Sequence, residues 1–410
     1  ETEANQETIL FVNGEYWGII GLREHYDNNY FNQVYNIPKT EIDLLENQGA
    51  VQEGDADDYD NMYQYIENNS LAGDTNYNYI KTRLDPENFS DYFISNIFFQ
   101  NTDWPGNNIV YWRKKTAEYI ANAPYGNDGR WRWAIHDMDS TFGDPLHNSL
   151  ADATATNGPS APNPAWSTLL LRKLLENNAF KIDFINRFAD LLNTSFLSSR
   201  IIAKIDDMKG VLAPEMNDQF FRWKAPADIN DWNFFLNKEK DFANKRPAFQ
   251  RDHIRAQFGI NSNINATLDV SDPNQGFIKM NTIDVLDGTP GIVGNPYPWT
   301  GIYFYNVPVK LMAIPKPGFI FDHWSGDSTS TNAEITITPV VNFSVKAHFI
   351  PDSTYEISVP IYFWMLDAAI ANNIPLASLT STYNLAHYGV IQYQPCLVGY
   401  PFTSSIPNCT

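Results

Sequence analysis

The sequence has little of the chemistry that thiol catalysis and zinc binding need. Its 410 residues include two cysteines, Cys396 and Cys409, both near the C-terminus. One disulfide could form between them, whereas thiol catalysis and a cysteine-based zinc site are disfavoured. The seven histidines never stand four residues apart around a glutamate, so the helical zinc motif is absent.

Long apolar runs and basic residues are also scarce. No apolar run reaches about 18 residues, so we expect no helix that crosses a membrane. With 28 Lys and Arg against 48 Asp and Glu, the formal net charge is -20. A charge of that sign and size repels nucleic acid, so we expect no nucleic-acid partner. Residues 347–410 contain no lysine or arginine, and we assign no role to residues 352–410.

The sequence does contain the material for a large folded core. Hydrophobic residues make up 43% and aromatic residues 14% of the chain, a composition that argues against disorder. The length predicts two or three domains. The chain starts at Glu1 rather than at methionine and enters a strand pattern almost at once, so we expect that it continues upstream, where any signal peptide would lie.

Turn and capping residues mark the elements of the first hundred residues. Residues 9–26 form two strand-like runs around an Asn-Gly dipeptide, which predicts a hairpin with a type I′ turn. The stretch TEIDLLENQG (40–49) is predicted to be a short helix that Thr40 caps. Asp85, followed by a proline, predicts the start of a buried amphipathic helix that ends just before residue 101.

The rest of the chain is predicted to contain strands, then helices, then strands again. Residues 107–115 and 129–139 are rich in β-formers and bounded by turn residues. Residues 165–257 have helical patterns throughout, whereas residues 264–351 alternate apolar and polar positions in short pieces. We therefore predict an α+β fold, a small β core surrounded by many helices, followed by an all-β module.

The stretch NTDWPGNNIVYWR (101–113) allows two interpretations of Asp103 and Asn108. The Pro-Gly pair and the neighbouring Asp and Asn residues suit a structural turn. Alternatively, an acid followed five residues later by an asparagine has the spacing of a kinase catalytic loop. There the acid orients the acceptor hydroxyl and the asparagine holds a metal ion.

A second acidic motif lies downstream, at the end of the run GRWRWAIHDMD. Asp137 and Asp139 are two residues apart, so on a strand both carboxylates would face the same way. Two such oxygen ligands suit Mg²⁺ or Mn²⁺. A pair of acids on a solvated loop is the structural alternative. The order of the two motifs, catalytic loop, strand and then a strand ending in Asp, is that of a kinase.

Three ordered motifs resemble the CotH family of spore-coat-like, atypical protein kinases. They are VNGEYWGIIGLREHYD (12–27), LDPENFSDYFISNIFFQNTDWPGNNIVYWR (84–113) and GRWRWAIHDMDSTFG (129–143). The resemblance covers roughly residues 1–260. It implies a kinase-like domain that uses ATP with Mg²⁺ or Mn²⁺ and acts on a protein.

The resemblance also implies roles for individual residues. Asp103 matches the catalytic-loop acid, Asn108 the loop asparagine at the metal, and Asp137 the metal-binding acid that follows. Asp139 matches the second acid of that motif, which has a supporting role at the metal.

The resemblance places one further stretch and reveals one departure. Leu22, Arg23 and Glu24 match the segment that runs along the adenine pocket, where the backbone would make the hydrogen bonds. A salt bridge to Arg23 or a solvated strand end is the alternative role for Glu24. The phosphate-contacting lysine of the family is not found before residue 9. Lys114 and Lys115 could contact phosphate, with exposed strand-end charges as the alternative.

The β-rich segment has a resemblance of its own. The stretches at residues 303–326 and 332–349 look like the divergent B repeats of internalin-type proteins, found on secreted bacterial proteins. Phe321 and Trp324 are predicted to be core aromatics. Such a module implies a spacer or adhesion role without chemistry.

These observations predict three parts and one function. Residues 1–260 would be a CotH-like kinase domain lacking its N-terminal strands, 261–351 the β module, and 352–410 an unassigned tail. The predicted function is transfer of the ATP γ-phosphoryl group to a Ser or Thr hydroxyl of a secreted or surface bacterial protein. The alternatives are a non-catalytic surface protein on a kinase-like scaffold and, with less support, a metal-dependent hydrolase that uses the same acids.

Overall fold

The computed structural model describes residues 2–157 and 164–354. Its strands are β1 Asn5–Val12, β2 Glu15–Arg23, β3 Ile42–Glu46, β4 Ala50–Glu53, β5 Val110–Lys114, β6 Arg132–Ala134, β7 Asn263–Val270, β8 Gly276–Met280, β9 Ile283–Val285, β10 Trp299–Phe304, β11 Val309–Pro315, β12 Phe319–Gly326, β13 Glu334–Ile337 and β14 Phe343–Pro351. Its helices are α1 Asn28–Tyr35, α2 Asp57–Asn68, α3 Asp74–Ile80, α4 Pro86–Phe98, α5 Ser149–Thr154, α6 Ala165–Leu174, α7 Asn178–Asn193, α8 Ser198–Leu212, α9 Met216–Trp223 and α10 Ile229–Phe258.

The next predictions concern membrane-spanning helices, the two cysteines and the C-terminal tail. Among the helices in the described ranges, none combines the length and the apolar character needed to cross a bilayer. Cys396 and Cys409, which could form a disulfide, and the unassigned tail from residue 355 onward lie outside the described residues.

The N-terminal hairpin is confirmed. Asn13 and Gly14 have φ angles of 53° and 83°, the two positive values that a type I′ turn requires, and β1 pairs antiparallel with β2. The hairpin rests on α9, because the Gln219 side chain accepts a hydrogen bond from the backbone N–H of Ile19 at 3.2 Å. The indole of Trp223 donates to a backbone carbonyl of β2 at 2.6 Å.

A four-stranded antiparallel sheet, in the order β4-β3-β5-β6, forms the β core of the first part. The predicted helix at residues 40–49 is wrong, since only the end of a 3-10 turn (Lys39–Glu41) precedes β3, and the remaining residues form β3 and the turn that follows it. The four residues Ile42 to Leu45 are all buried, so both faces of the strand are covered and its pattern does not alternate. Asp43 tolerates this burial because Arg113 on β5 donates to its carboxylate at 2.9 Å.

The helix predicted before residue 101 is confirmed as α4. The Asp85 carboxylate caps it by accepting from the second and third backbone N–H groups, both at 3.2 Å. The same carboxylate accepts from Arg132 on β6 at 2.9 Å. The start of α4 is therefore tied to the sheet. Its far end leads directly into the loop that carries Asp103.

The helical prediction for residues 165–257 is confirmed by α6 to α10. Gly259 ends α10 in a left-handed conformation, with φ at 65°, as expected for a C-terminal glycine. From Asn263 onward the described chain is β-rich. Two four-stranded sheets, β10-β7-β14-β12 and β13-β11-β8-β9, form the module. Trp324 is fully buried there, and Phe321 is partly buried against the same core. The α+β assignment, with a β-rich module following, is confirmed.

Polar side chains of α7 join the two parts of the chain. The buried Asp190 carboxylate accepts from the Thr282 hydroxyl at 2.6 Å, the Thr282 N–H at 3.0 Å and the Tyr303 hydroxyl at 2.8 Å. Asn193 makes two hydrogen bonds to the backbone of Ile302, at 2.9 and 3.0 Å, as a neighbouring strand would. Burial raises the pKa of Asp190 to about 6, although the hydrogen bonds from Thr282 and Tyr303 act in the opposite direction.

Candidate functional site

The loop that carries Asp103 is anchored in its middle and at its end. The Trp104 side chain is buried, and its indole N–H donates to the Tyr92 hydroxyl of α4 at 3.0 Å. Where the loop enters β5, the N–H of Asn47 in the β3–β4 turn donates to the carbonyl of Ile109 at 2.8 Å. Helix α4 and the sheet together therefore fix the path of residues 101–109.

Within this loop, Asp103 is itself a turn-stabilising residue. Its Oδ2 atom accepts from the side-chain amides of Asn107 at 3.1 Å and Asn108 at 3.0 Å. Asn108 is in the left-handed region, with φ at 56°. Among the described residues, no hydrogen-bond donor contacts the second Asp103 oxygen, and none contacts the Asn108 side-chain oxygen. The turn thus orients both groups and leaves one oxygen of each available.

The second acidic motif is positioned differently from the prediction. Strand β6 ends at Ala134, and Asp137 has a left-handed backbone with φ at 47°, so the strand alternation does not reach Asp137 and Asp139. That argument for their convergence is wrong, because both acids lie in the loop after the strand. Both are exposed. The Ser140 hydroxyl donates to Asp139 at 3.1 Å, while no described residue donates a hydrogen bond to the Asp137 carboxylate.

Hydrogen bonds hold two loops side by side, the one that carries Asp103 and the one that carries Asp137 and Asp139, which we call the two acidic loops. The backbone N–H and the hydroxyl of Thr102 both donate to the carbonyl of Ser140, at 3.0 and 3.1 Å. The N–H of Phe142 donates to the carbonyl of Phe99 at 3.0 Å. Thus the residue before Asp103 contacts the residue after Asp139, and the structure brings the two predicted motifs together.

Asn101 is a residue of this junction that the sequence did not identify. It is 4% exposed, and its side-chain amide donates to Asn96 of α4 at 3.0 Å and to the Met138 sulfur at 3.5 Å. Its side-chain oxygen accepts from the Asp103 N–H at 3.1 Å. Asn101 therefore links the helix end to both loops. No sequence signal separates it from the other asparagines of the motif, all of which suit turns.

The stretch predicted to line the adenine pocket lies at the end of β2. The Leu22 side chain is 57% exposed, and Arg23 and Glu24 are exposed as well. The Glu24 carboxylate accepts from the N–H of Ala4 at 2.9 Å, and the Glu24 N–H donates to the Ala4 carbonyl at 2.9 Å. Glu24 thus fastens the first strand from an exposed position just after β2, which agrees with the solvated strand end, and no salt bridge of the described residues joins it to Arg23.

The base of the hairpin lies beside Ile135, the residue that follows β6. Thr2 forms a parallel bridge with Ile135, and the Tyr26 hydroxyl donates to the Ile135 carbonyl at 3.1 Å. Ile135 is two residues before Asp137. The hairpin end that carries Leu22 is therefore a neighbour of the acidic loops in the fold, although no hydrogen bond of the described residues joins it to them directly.

The two lysines considered for phosphate contact are engaged with carboxylates. Lys115 pairs with Asp55 at 2.7 Å and with Asp43 at 3.1 Å, and the hydrogen bond to Asp55 is the main cause that raises the pKa of Lys115. Lys114 lies 3.7 Å from Glu41. Both lysines are therefore ion-pair partners rather than free strand-end charges. Strands β1 and β2 contain no lysine.

The oxygen donors of the two loops are of the type that a hard divalent cation prefers. In the described ranges, no group of three or more His, Cys, Asp or Glu residues could hold a metal ion. The donors of the predicted metal site are instead the carboxylates of Asp137 and Asp139 and the amide oxygen of Asn108. Mg²⁺ is commonly held by one or two carboxylates together with waters and substrate phosphates, so this donor set suits a metal that arrives with phosphate.

A cleft of about 440 Å³ lies elsewhere in the molecule. It is bounded by the start of α7, the end of α10 and the turn before β11, and Lys181, Phe258 and Val307 are among its lining residues. None of the predicted site residues lines this cleft, which is therefore separate from the acidic loops.

Comparisons with protein families agree with the predicted order of the two parts of the chain. A family model described as CotH kinase protein matches residues 1–250, and a model described as divergent InlB B-repeat domain matches residues 285–353. The order of the two matches is the order predicted from the sequence motifs. No curated protein matches the chain significantly.

Proposed function

The chain belongs to the CotH kinase protein family, whose model covers more than half of its length, and on that premise we propose that it is an ATP-dependent protein kinase. It would transfer the γ-phosphoryl group of ATP to a Ser or Thr hydroxyl of another protein. The observation that carries the proposal is the pairing of the two acidic loops through Thr102 and Ser140. A kinase site needs both motifs in one place.

We assign the hydroxyl-orienting role to Asp103. One of its carboxylate oxygens is held by Asn107 and Asn108, and the other could accept the proton of a substrate hydroxyl. As the hydroxyl oxygen bonds to the γ-phosphorus, the bond from that phosphorus to the bridging oxygen breaks. The proton then resides on Asp103 and ADP departs, so the step balances without another reactant.

We assign Asn108, Asp137 and Asp139 to a Mg²⁺ or Mn²⁺ site. A bound divalent ion would neutralise charge on the phosphates of ATP, which a protein with net charge -20 would otherwise repel. The unpartnered Asp137 carboxylate suits a ligand, while the Ser140 hydroxyl holds Asp139 and suits the supporting role. Strands β1 and β2 contain no lysine that could share this role.

For the adenine we retain the stretch Leu22 to Glu24, with the backbone as the hydrogen-bonding partner. Its support is the contact between the hairpin base and the strand before Asp137. The B-repeat module supports an adhesion or spacer role, and with it a place for the protein on a bacterial surface or outside the cell. The protein substrate would then be a secreted or surface protein.

The proposal is tested by phosphoryl transfer from γ-labelled ATP in the presence of Mn²⁺, to the chain itself and to a serine-rich acceptor protein. The wild type should label a Ser or Thr hydroxyl. Asp103→Asn keeps an oxygen for the amides of Asn107 and Asn108 but loses the base, so labelling should fall about 100-fold or more. Equal labelling by both proteins, or none by the wild type, would contradict the proposal and favour a non-catalytic scaffold.

A further inference from the structure

A buried arginine on α10 contacts the two chain segments that lead into and out of the candidate site. Arg246 is 0% exposed. Its Nε and Nη2 atoms donate to the carbonyls of Phe98 at 2.8 Å and Ile97 at 2.6 Å, in the last turn of α4. Its Nη1 atom donates to the carbonyls of Pro145 at 2.9 Å and His147 at 2.6 Å.

These four contacts are unusual for a buried charge. No carboxylate of the described residues lies within salt-bridge distance of Arg246, so backbone carbonyls accept its hydrogen bonds, and the Phe242 ring centroid lies 5.6 Å from the guanidinium carbon. Burial lowers the pKa of Arg246 to about 10, and Asp144 acts in the opposite direction, so the side chain keeps its charge at neutral pH. The carbonyls at a helix C-terminus carry partial negative charge and lack intrahelical partners, which makes α4 a favourable acceptor.

The two carbonyl pairs belong to the two chain segments that carry the site. The end of α4 leads into the loop of Asp103, and residues 145–147 follow the loop of Asp137 and Asp139. The Gln100 side chain adds a further link between these segments, because it accepts from the Asp144 N–H at 2.5 Å. A shift of either segment would change the distance between the two acidic loops.

We propose that Arg246 is a positioning residue that fixes the Asp103 loop and the Asp137 loop relative to each other through the four backbone carbonyls. The planar guanidinium directs one edge at α4 and its remaining nitrogen at residues 145–147. A lysine ammonium is a single point with three donors and cannot span both segments.

The chain offers a matched control on the same helix. Arg251 is also buried, has no carboxylate partner among the described residues, and has its pKa lowered to about 10 by burial. It donates to the Leu192 carbonyl at 3.3 Å and to the Asn193 side chain at 3.0 Å, both at the C-terminal end of α7. Arg251 thus has the chemistry of Arg246 but contacts a different part of the fold.

The test compares Arg246→Lys, Arg246→Met and Arg251→Met in the full chain. Hydrogen-exchange mass spectrometry reports on the backbone N–H groups whose hydrogen bonds join the two loops, those of Thr102, Phe142 and Asp144. We expect faster exchange at these amides in both Arg246 variants and wild-type exchange in Arg251→Met. Similar exchange of these amides in all three variants and the wild type would overturn the proposal.

Metal affinity gives a second measurement, which rests on the function proposed above. Free Mn²⁺ is followed by electron paramagnetic resonance during titration, with and without ATP. Since partners that orient metal ligands affect affinity, Mn²⁺ binding in the presence of ATP should weaken about 10- to 100-fold in Arg246→Lys and stay unchanged in Arg251→Met. Unchanged affinity in folded Arg246→Lys would overturn the positioning role. If the wild type itself binds no Mn²⁺ with ATP, the proposed function fails, and the exchange measurement alone decides on Arg246.

Discussion

The side-chain amide of Asn108 donates to the Asp103 carboxylate at 3.0 Å, from a backbone held at a φ of 56°. This pair unites the two interpretations that the sequence allowed. The hydrogen bond is a turn-stabilising contact. It uses one carboxylate oxygen of Asp103 and the amide nitrogen of Asn108, so the second carboxylate oxygen and the amide oxygen take no part in it. The structural role and the proposed chemical role are therefore compatible in the same two residues.

Substitution of Asn108 separates these roles. Asn108→Gly keeps the left-handed backbone accessible but removes the amide oxygen, so the free energy of unfolding should change by about 1 kcal/mol or less. Mn²⁺ binding in the presence of ATP should weaken at least tenfold, measured by calorimetric titration. Asn108→Ala, the comparison variant, adds backbone strain of about 1–2 kcal/mol. Wild-type Mn²⁺ affinity in Asn108→Gly would show that Asn108 is a turn residue only.

The two acids of the second loop should differ in their effects. Asp137→Asn keeps a residue that tolerates a φ of 47° and removes the charge, so Mn²⁺ binding with ATP should be lost while the unfolding midpoint without ligand stays near that of the wild type. Asp139→Asn should weaken Mn²⁺ binding less, since Asp139 has the supporting role. The comparison is a parallel Mn²⁺ titration of both variants, and a larger loss in Asp139→Asn would reverse the assignment.

The buried carboxyl between α7 and the β module should make stability depend on pH. Burial raises the pKa of Asp190 from 3.8 to about 6, so the folded state holds a proton that the unfolded state has released. Its contribution to stability is fully present below pH 3.8 and is lost as the pH rises through 6. Between pH 5 and pH 7.5 this group should reduce the free energy of unfolding by about 1 kcal/mol.

Asp190→Asn is the control for this pH effect, because it removes the titrating group. The variant should be less stable overall, since its amide N–H₂ would face hydrogen-bond donors such as Tyr303 and Thr282. The decrease in unfolding free energy from pH 5 to pH 7.5, measured by urea unfolding, should be smaller in the variant by about 1 kcal/mol. Identical pH dependence in both proteins would assign the effect to other groups.

Elements with local signals were predicted from the sequence, and elements defined by tertiary contacts were not. The Asn-Gly turn at residue 13 and the Asp85 cap of α4 depend on residues that are close in sequence, so a local pattern predicts them. Strand β3 was predicted to be helical because Thr40 could cap a helix there. The residues of β3 are buried on both faces, so the run has no alternation to reveal a strand. Only its partners β4 and β5 define it.

The same distinction applies to the site. The spacing of Asp103 and Asn108 and the family motifs identified the two acidic loops, but the strand argument for Asp137 and Asp139 was wrong because β6 ends at Ala134. Arg246 lies 148 residues from the Phe98 carbonyl that it contacts, and no local pattern predicts such a pairing. The assignment of the site residues themselves stays a prediction, for which the paired loops provide the geometric support.

The most direct test of the account is thermal unfolding of the full chain with and without ATP and Mn²⁺, alongside Asp137→Asn. A ligand that binds only the folded state raises the unfolding midpoint, and at 100 times its dissociation constant it contributes about 2.7 kcal/mol. We predict that ATP with Mn²⁺ raises the wild-type midpoint by several degrees and leaves Asp137→Asn unchanged. An absent shift in the wild type, or an equal shift in both proteins, would contradict a nucleotide site at the paired acidic loops.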